Sequence, residues 1–124
     1  MLSLLASVPA TAGPLEECYR DAENRLEVRP CLEARLVETK TQLAEAEKMR
    51  REQLMELAGV TGRDAALSAF EEAAKDFRTF RESVCRLARL EAEPGTGAND
   101  FERDCLIRMT RAWIREIRSH SSLK

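Results

Sequence analysis

The sequence predicts an all-α fold: a small antiparallel bundle of three main helices and a short N-terminal one, stapled by two disulfides. Aromatic residues make up 5% and charged residues 34% of a chain with only five Gly and four Pro, a balance that suits long amphipathic helices better than a sheet. The alternation of β-branched and aromatic side chains that a half-buried strand needs is absent throughout. Apolar side chains instead recur every three or four residues through segments rich in Ala, Leu, Glu, Arg and Lys. A length of 124 residues leaves room for one modest core and hence one domain.

Residues 1–12, MLSLLASVPATA, carry no charge, an apolar run from Leu2 to Val8 and the small-residue ending Ala10-Thr11-Ala12. This pattern reads as the remnant of a secretory signal cleaved after Ala12, against the alternative of a frayed apolar terminus. The folded domain is then expected over residues 13–124. Cys18 follows Leu15-Glu16-Glu17, where lipid attachment would need small residues, so no lipid anchor is expected there.

The first helix is expected over residues 14–26, with Glu16, Glu17 and Asp21 early in it, where the macrodipole favours acids. Pro30 is tolerated only in a first turn, so Arg29-Pro30-Cys31 opens the second helix. That helix is expected over 31–58, with an apolar face of Leu32, Leu36, Leu43, Ala46, Met49, Leu54 and Leu57. Gly59 and Gly62 should stop it, and Thr61 or Asp64 should cap the next.

The third helix, 64–92, places Leu67, Phe70, Ala74, Phe77, Val84 and Ala88 on one stripe, flanked by Ala73, Phe80 and Leu87. Arg81 stands where that stripe expects an apolar side chain. It reads as an arginine at the core margin whose stem packs while its head pairs with an acid, the alternative being a functional arginine. Residues 94–100, PGTGAND, cannot continue a helix, and Asn99 or Asp100 can cap a fourth one over 101–118 that buries Leu106, Met109, Trp113 and Ile117.

The four cysteines are an even count in a small chain that reads as exported. The single histidine, His120, lies in a polar tail, and no C-x-x-C pair occurs. Disulfides therefore outrank metal ligation or a catalytic thiol. Four cysteines allow three connectivities. Locality selects Cys18–Cys31, across the Pro30 break, and Cys85–Cys105, across the 94–100 turn, each closed loop stabilising by about 3 kcal/mol.

A net charge of −2 is too small to imply nucleic acid or an anionic membrane surface as partner. Residues 13–59 hold 11 acids and 8 bases, whereas residues 101–124 hold 3 and 6. In that last segment Arg108, Arg111, Arg115 and Arg118 fall on one helix face, a solvated face meeting glutamates or, alternatively, a phosphate stripe. After residue 12 no apolar run approaches the length of a membrane span. An activated nucleophile, a positioned acid–base pair and a metal set are all lacking, so neither catalysis nor a cofactor is expected.

The order of these features resembles the lysozyme inhibitor LprI N-terminal-like family of bacterial envelope proteins. The residues that carry the resemblance are Cys18, Cys31-Leu32, the run FRTFRESVC over 77–85, Gly95-Thr96-Gly97 and the run CLIRMT over 105–110. Where the family usually has tryptophan, often tyrosine, and an arginine after the threonine, this chain has Phe77, Phe80 and Trp113. The resemblance implies an exported, periplasmic or secreted, disulfide-bonded helical domain that binds protein, with lysozyme as the named target. On that basis the clamped turn, through Gly95, Thr96, Gly97, Asn99 and Asp100, is the expected partner-contacting edge, unless it is an ordinary inter-helix turn. The alternative is a structural or adaptor domain of the envelope, monomeric or dimerising along the second helix, whose far half would overhang the bundle.

Overall fold

The computed structural model describes residues 13–121; the expected signal segment, 1–12, lies outside them. Four helices follow one another: α1 (Pro14–Asp21), α2 (Val28–Thr61), α3 (Ala65–Ala92) and α4 (Ala98–Ser121). A 3-10 turn (Arg25–Glu27) precedes α2. The described residues contain no strand, and the two disulfides are Cys18–Cys31 and Cys85–Cys105.

The ends of the elements depart from sequence expectation for local reasons. α1 stops at Asp21, five residues before residue 26, because Ala22 is extended (φ −79°, ψ 140°) while its N–H still closes onto the Cys18 carbonyl. Asn24 then organises the 3-10 turn, its Oδ1 accepting from the Leu26 N–H at 2.9 Å. α2 starts three residues earlier than 31 and takes Pro30 into its first turn, where a missing N–H has no intrahelical partner to lose. Gly62 ends α2 in the left-handed region (φ +71°), a conformation that favours glycine. Gly59 simply continues the helix. Asp64 sits at the N-cap of α3 but makes no side-chain cap bond.

α4 begins at Ala98 rather than Phe101. The Gly97 carbonyl accepts from the Phe101 N–H at 3.1 Å, so Asn99 and Asp100 lie inside the first turn and neither is the cap.

α2 and α4 run parallel, and α3 runs antiparallel to both. Residues pair in rising order along α2 and α4 (Glu33 with Arg103, Glu47 with Trp113) and in opposite order along α3 and α4 (Cys85 with Cys105, Arg81 with Thr110). α4 packs along both α2 and α3, which touch each other far less. It therefore lies in the crevice of the α2–α3 hairpin, and the core divides along it. Near α1 the cluster is Cys18, Val28, Leu32 and Ile107; farther along it is Leu43, Ala46, Ile114 and Ile117, with Phe70, Phe77 and Trp113 against them. Trp113 stacks between Phe77 and Phe70, at centroid distances of 5.4 and 6.5 Å.

Several apolar positions of the expected stripes are exposed: Met49 and Leu57 on α2, Phe80 and Leu87 on α3. Each of these helices meets its neighbours along a narrower band than the periodicity suggests, and the far end of α2 runs on past the end of α4. At that hairpin tip Arg51 forks onto Glu71 through Nε and Nη2, both at 2.9 Å. The hydrogen bond from Arg51 holds the Glu71 carboxyl below the usual glutamate range, and Glu71 in turn raises the Arg51 guanidinium. A lowered carboxyl contributes stability that is complete above its unfolded value and is lost as the pH falls through the folded one. A pH titration of the Glu71 carboxyl by NMR should therefore give a midpoint below the ordinary glutamate value; an ordinary midpoint would show that the fork does not form in solution.

Candidate functional site

The bundle brings its two disulfide-closed loops to the same end. One is the 93–97 turn between α3 and α4, with Cys85 and Cys105 (Cα–Cα 5.4 Å) behind it. The other is the 22–27 connection between α1 and α2, closed by Cys18–Cys31 (Cα–Cα 5.8 Å). Both are exposed, and they meet where Arg25 Nη2 donates to Thr96 Oγ1 at 3.3 Å.

The 93–97 turn is ordered by its own backbone. Gly95 N–H donates to the Ala92 carbonyl at 2.9 Å, and Ala98 N–H to the Gly95 carbonyl at 3.3 Å. A Cβ on Gly95 would stand 2.7 Å from the Ala92 oxygen, so the turn admits no side chain there. The second loop is tied to the bundle by α1. The Leu15 N–H donates to Asp104 Oδ1 at 2.8 Å, and Arg108 Nε donates to the other Asp104 oxygen at 2.8 Å. Arg35 links α2 to Asp21 at 3.1 Å and lies against Cys18 Sγ at 3.3 Å.

Between the two loops lies an open groove of about 350 Å³, lined by Arg25, Leu26, Arg29, Pro30, Thr96, Gly97 and Asp100. Thr96, Gly97 and Asp100 thus belong to one surface. Gly95 is exposed on the turn beside it, while Asn99 is exposed on the first turn of α4 and does not line the groove. Asp100 is held by Arg103 at 3.2 Å. Arg25, Leu26, Arg29 and Pro30 were not legible as site residues. The signal for them was Leu26, an apolar side chain alone between Arg25 and Glu27 in a loop closed by cysteines.

Arg81 is placed elsewhere. It lies 8% exposed on α3, its Nη1 donating to Thr110 Oγ1 at 3.0 Å and its guanidinium carbon 5.3 Å from the centroid of the Phe77 ring. The acid within ion-pair reach is Glu82, at 4.0 Å and largely exposed. A hydroxyl and an aromatic face therefore take most of the role expected of a carboxylate. Arg81→Ala should lower the unfolding free energy by about 2–3 kcal/mol, the sum of a charged hydrogen bond and a cation–π contact. An unchanged urea midpoint would show that the guanidinium contributes nothing to the bundle.

On the arginine face of α4, Arg108 meets Asp104 at 2.8 Å and Arg111 meets Glu17 at 3.4 Å, so acids engage this face as a solvated one would be engaged. Among the described residues no group of three or more His, Cys, Asp or Glu side chains could hold a metal ion, and no helix is long and apolar enough to cross a membrane.

Neither a curated protein nor a solved structure matches the chain. Residues 16–117, which run from α1 to the last turns of α4 and include all four cysteines and both loops of the groove, match the sequence model of the family described as "Lysozyme inhibitor LprI". With most of its length inside that match and both of its disulfides within it, the chain belongs to the LprI lysozyme inhibitor family.

Proposed function

We propose that the protein is an exported protein-binding module that inhibits lysozyme through the end of the bundle where its two disulfide-closed loops meet. The observation that carries this reading is the convergence itself. Two loops far apart in sequence are each braced by a disulfide and joined by the Arg25–Thr96 contact, and a pre-ordered surface loses little conformational entropy on binding. The family and the paired cysteines support a place outside the cytoplasm, periplasmic or secreted.

The test is a turbidity assay of cell-wall lysis with lysozymes of more than one class. The unmodified protein should inhibit at least one of them. Replacing Thr96 and Asn99 together by alanine should leave the melting temperature nearly unchanged and weaken inhibition about tenfold or more, a range ordinary for interface side chains. Full inhibition by the double variant would remove the turn from the interface.

A second reading, an envelope adaptor, is favoured by the opposite end of the molecule. There an open groove of about 360 Å³, lined by Leu54, Ala66, Ala69, Phe70, Trp113 and Ile117 among others, adjoins a tip on which Met55, Leu57 and Val60 are exposed. Absence of inhibition against every lysozyme class, with self-association or partner capture through that tip, would place the adaptor reading first.

A further inference from the structure

We infer that the groove at the doubly clamped end takes carboxylates, with Arg25 and Arg29 as its two cations and Leu26 as the apolar contact beside them. Resting on the inhibitor reading above, we assign those carboxylates to the catalytic cleft of lysozyme.

The charges at this end are unevenly compensated. Most arginines near it have an acid: Arg35 meets Asp21 at 3.1 Å, Arg89 meets Glu93 at 2.6 Å, and Arg103 meets both Asp100 at 3.2 Å and Glu33 at 3.5 Å. Arg25 and Arg29 have no ion pair among the described residues. Arg25 touches only the neutral hydroxyl of Thr96, at 3.3 Å. Among the nearby acids Asp100 pairs with Arg103 and Glu27 accepts from the backbone N–H of Glu23 at 2.7 Å, and neither they nor the Glu23 carboxylate forms an ion pair with Arg25 or Arg29 among the described residues. Both arginines line the one groove.

Three further features suit that groove to a carboxylate partner. Leu26 is 86% exposed, the most exposed large apolar side chain among the described residues, and it stands beside Arg25 and in the same groove as Arg29. Among the three long helices, two positive macrodipole ends, of α2 and α4, lie at this end against the single negative end of α3. Arginine is the side chain suited to a planar fork onto a carboxylate.

Lysozyme hydrolyses its substrate with a pair of carboxyl groups that flank the scissile bond inside a cleft. A double loop carrying two arginines without ion pairs among the described residues and an exposed leucine matches such a cleft in charge. The overall charge of −2 adds no repulsion against a basic partner.

Calorimetric titration against a c-type lysozyme tests this, using the full chain and its Arg25→Glu/Arg29→Glu variant. The measurement is repeated with chitotriose filling the cleft and with a lysozyme whose catalytic glutamate is glutamine. The reversal variant should keep its melting temperature and bind about 100-fold more weakly or worse, while Arg25→Lys/Arg29→Lys, which keeps the charge but not the fork, should bind with an affinity between those of the unmodified chain and the reversal variant. Should reversal impair folding, Arg25→Gln/Arg29→Gln carries the same expectation. Chitotriose should compete, and loss of the catalytic carboxylate should weaken binding. Unchanged binding by the folded reversal variant, or binding indifferent to chitotriose, would overturn this assignment and leave the inhibitor reading standing. If the unmodified chain bound no lysozyme of any class, the inhibitor reading would fail, and this assignment with it.

Discussion

Replacing Cys85 and Cys105 together by alanine should lower the unfolding free energy by about 3 kcal/mol, and the same loss is expected for the Cys18/Cys31 pair. In a domain whose total is about 5–15 kcal/mol, either change is large. The two losses should differ in where they are felt. Without Cys85–Cys105, a bridge spanning 20 residues, the α3–α4 turn is no longer held at its base and the whole bundle is weakened. Without Cys18–Cys31, α1 is the first element to suffer. It has eight residues, too few to persist as a helix in isolation, and it contributes Cys18 and Leu15 to the cluster around Val28, Leu32 and Ile107. Urea midpoints measure the totals and amide hydrogen exchange locates them: protection over residues 14–21 should collapse in the second variant while that of α3 persists. Uniform loss in both variants would show that the two clamps do not act on separate parts of the fold.

Arg78→Ala should be the most damaging change to a single exposed-looking side chain, at about 3 kcal/mol. The reason lies in its partner. The Glu47 side chain is 5% exposed and binds both neighbouring helices, accepting from Arg78 Nη2 of α3 at 2.6 Å and from Trp113 Nε1 of α4 at 3.3 Å. Removing the arginine leaves a buried carboxylate with a single indole N–H. Arg78 is 48% exposed, so water reaches its side of the pair, and the cost falls at the low end for a broken buried ion pair. Glu47→Gln leaves one acceptor oxygen where Arg78 and Trp113 now bind two different ones, so it gives up the charge and one hydrogen bond; about 2 kcal/mol is expected. A double-mutant cycle between Glu47→Gln and Arg78→Ala in urea should recover a coupling of about 1–2 kcal/mol. A coupling near zero would mean that the carboxylate is hydrated in solution and that this pair does not help to join the three long helices.

The sequence by itself determined what depends on near neighbours in the chain. The helical class follows from composition and a period of three to four residues. The span of α3 differs from expectation by a single residue at its start, because Gly62 ends the helix before it and the 94–100 segment ends it in turn. The disulfide pairing was equally legible, since each bridge closes a short loop between consecutive helices and locality was sufficient to choose among the three pairings. For the turn at 94–100, sequence located the bend but placed the start of α4 too late, as Asn99 and Asp100 are good caps in general and here lie within the helix.

Only the tertiary structure decided which faces are buried and what the loops meet. α4 lies in the crevice between α2 and α3 and is covered on two sides. Its deepest residues, Ile107, Thr110 and Ile114, therefore fall outside the single stripe Leu106, Met109, Trp113 and Ile117. One-face periodicity cannot show a helix that is covered twice. Glu47 reads in sequence as one more glutamate on a charged helix face, and it is buried because Arg78 and Trp113, 31 and 66 residues away, reach it from two other helices. The groove between the clamped loops has the same origin: Arg25 and Thr96 are separated by 71 residues, and no local pattern can bring them together. That placement comes from the parallel course of α2 and α4, a property of packing and not of any one segment.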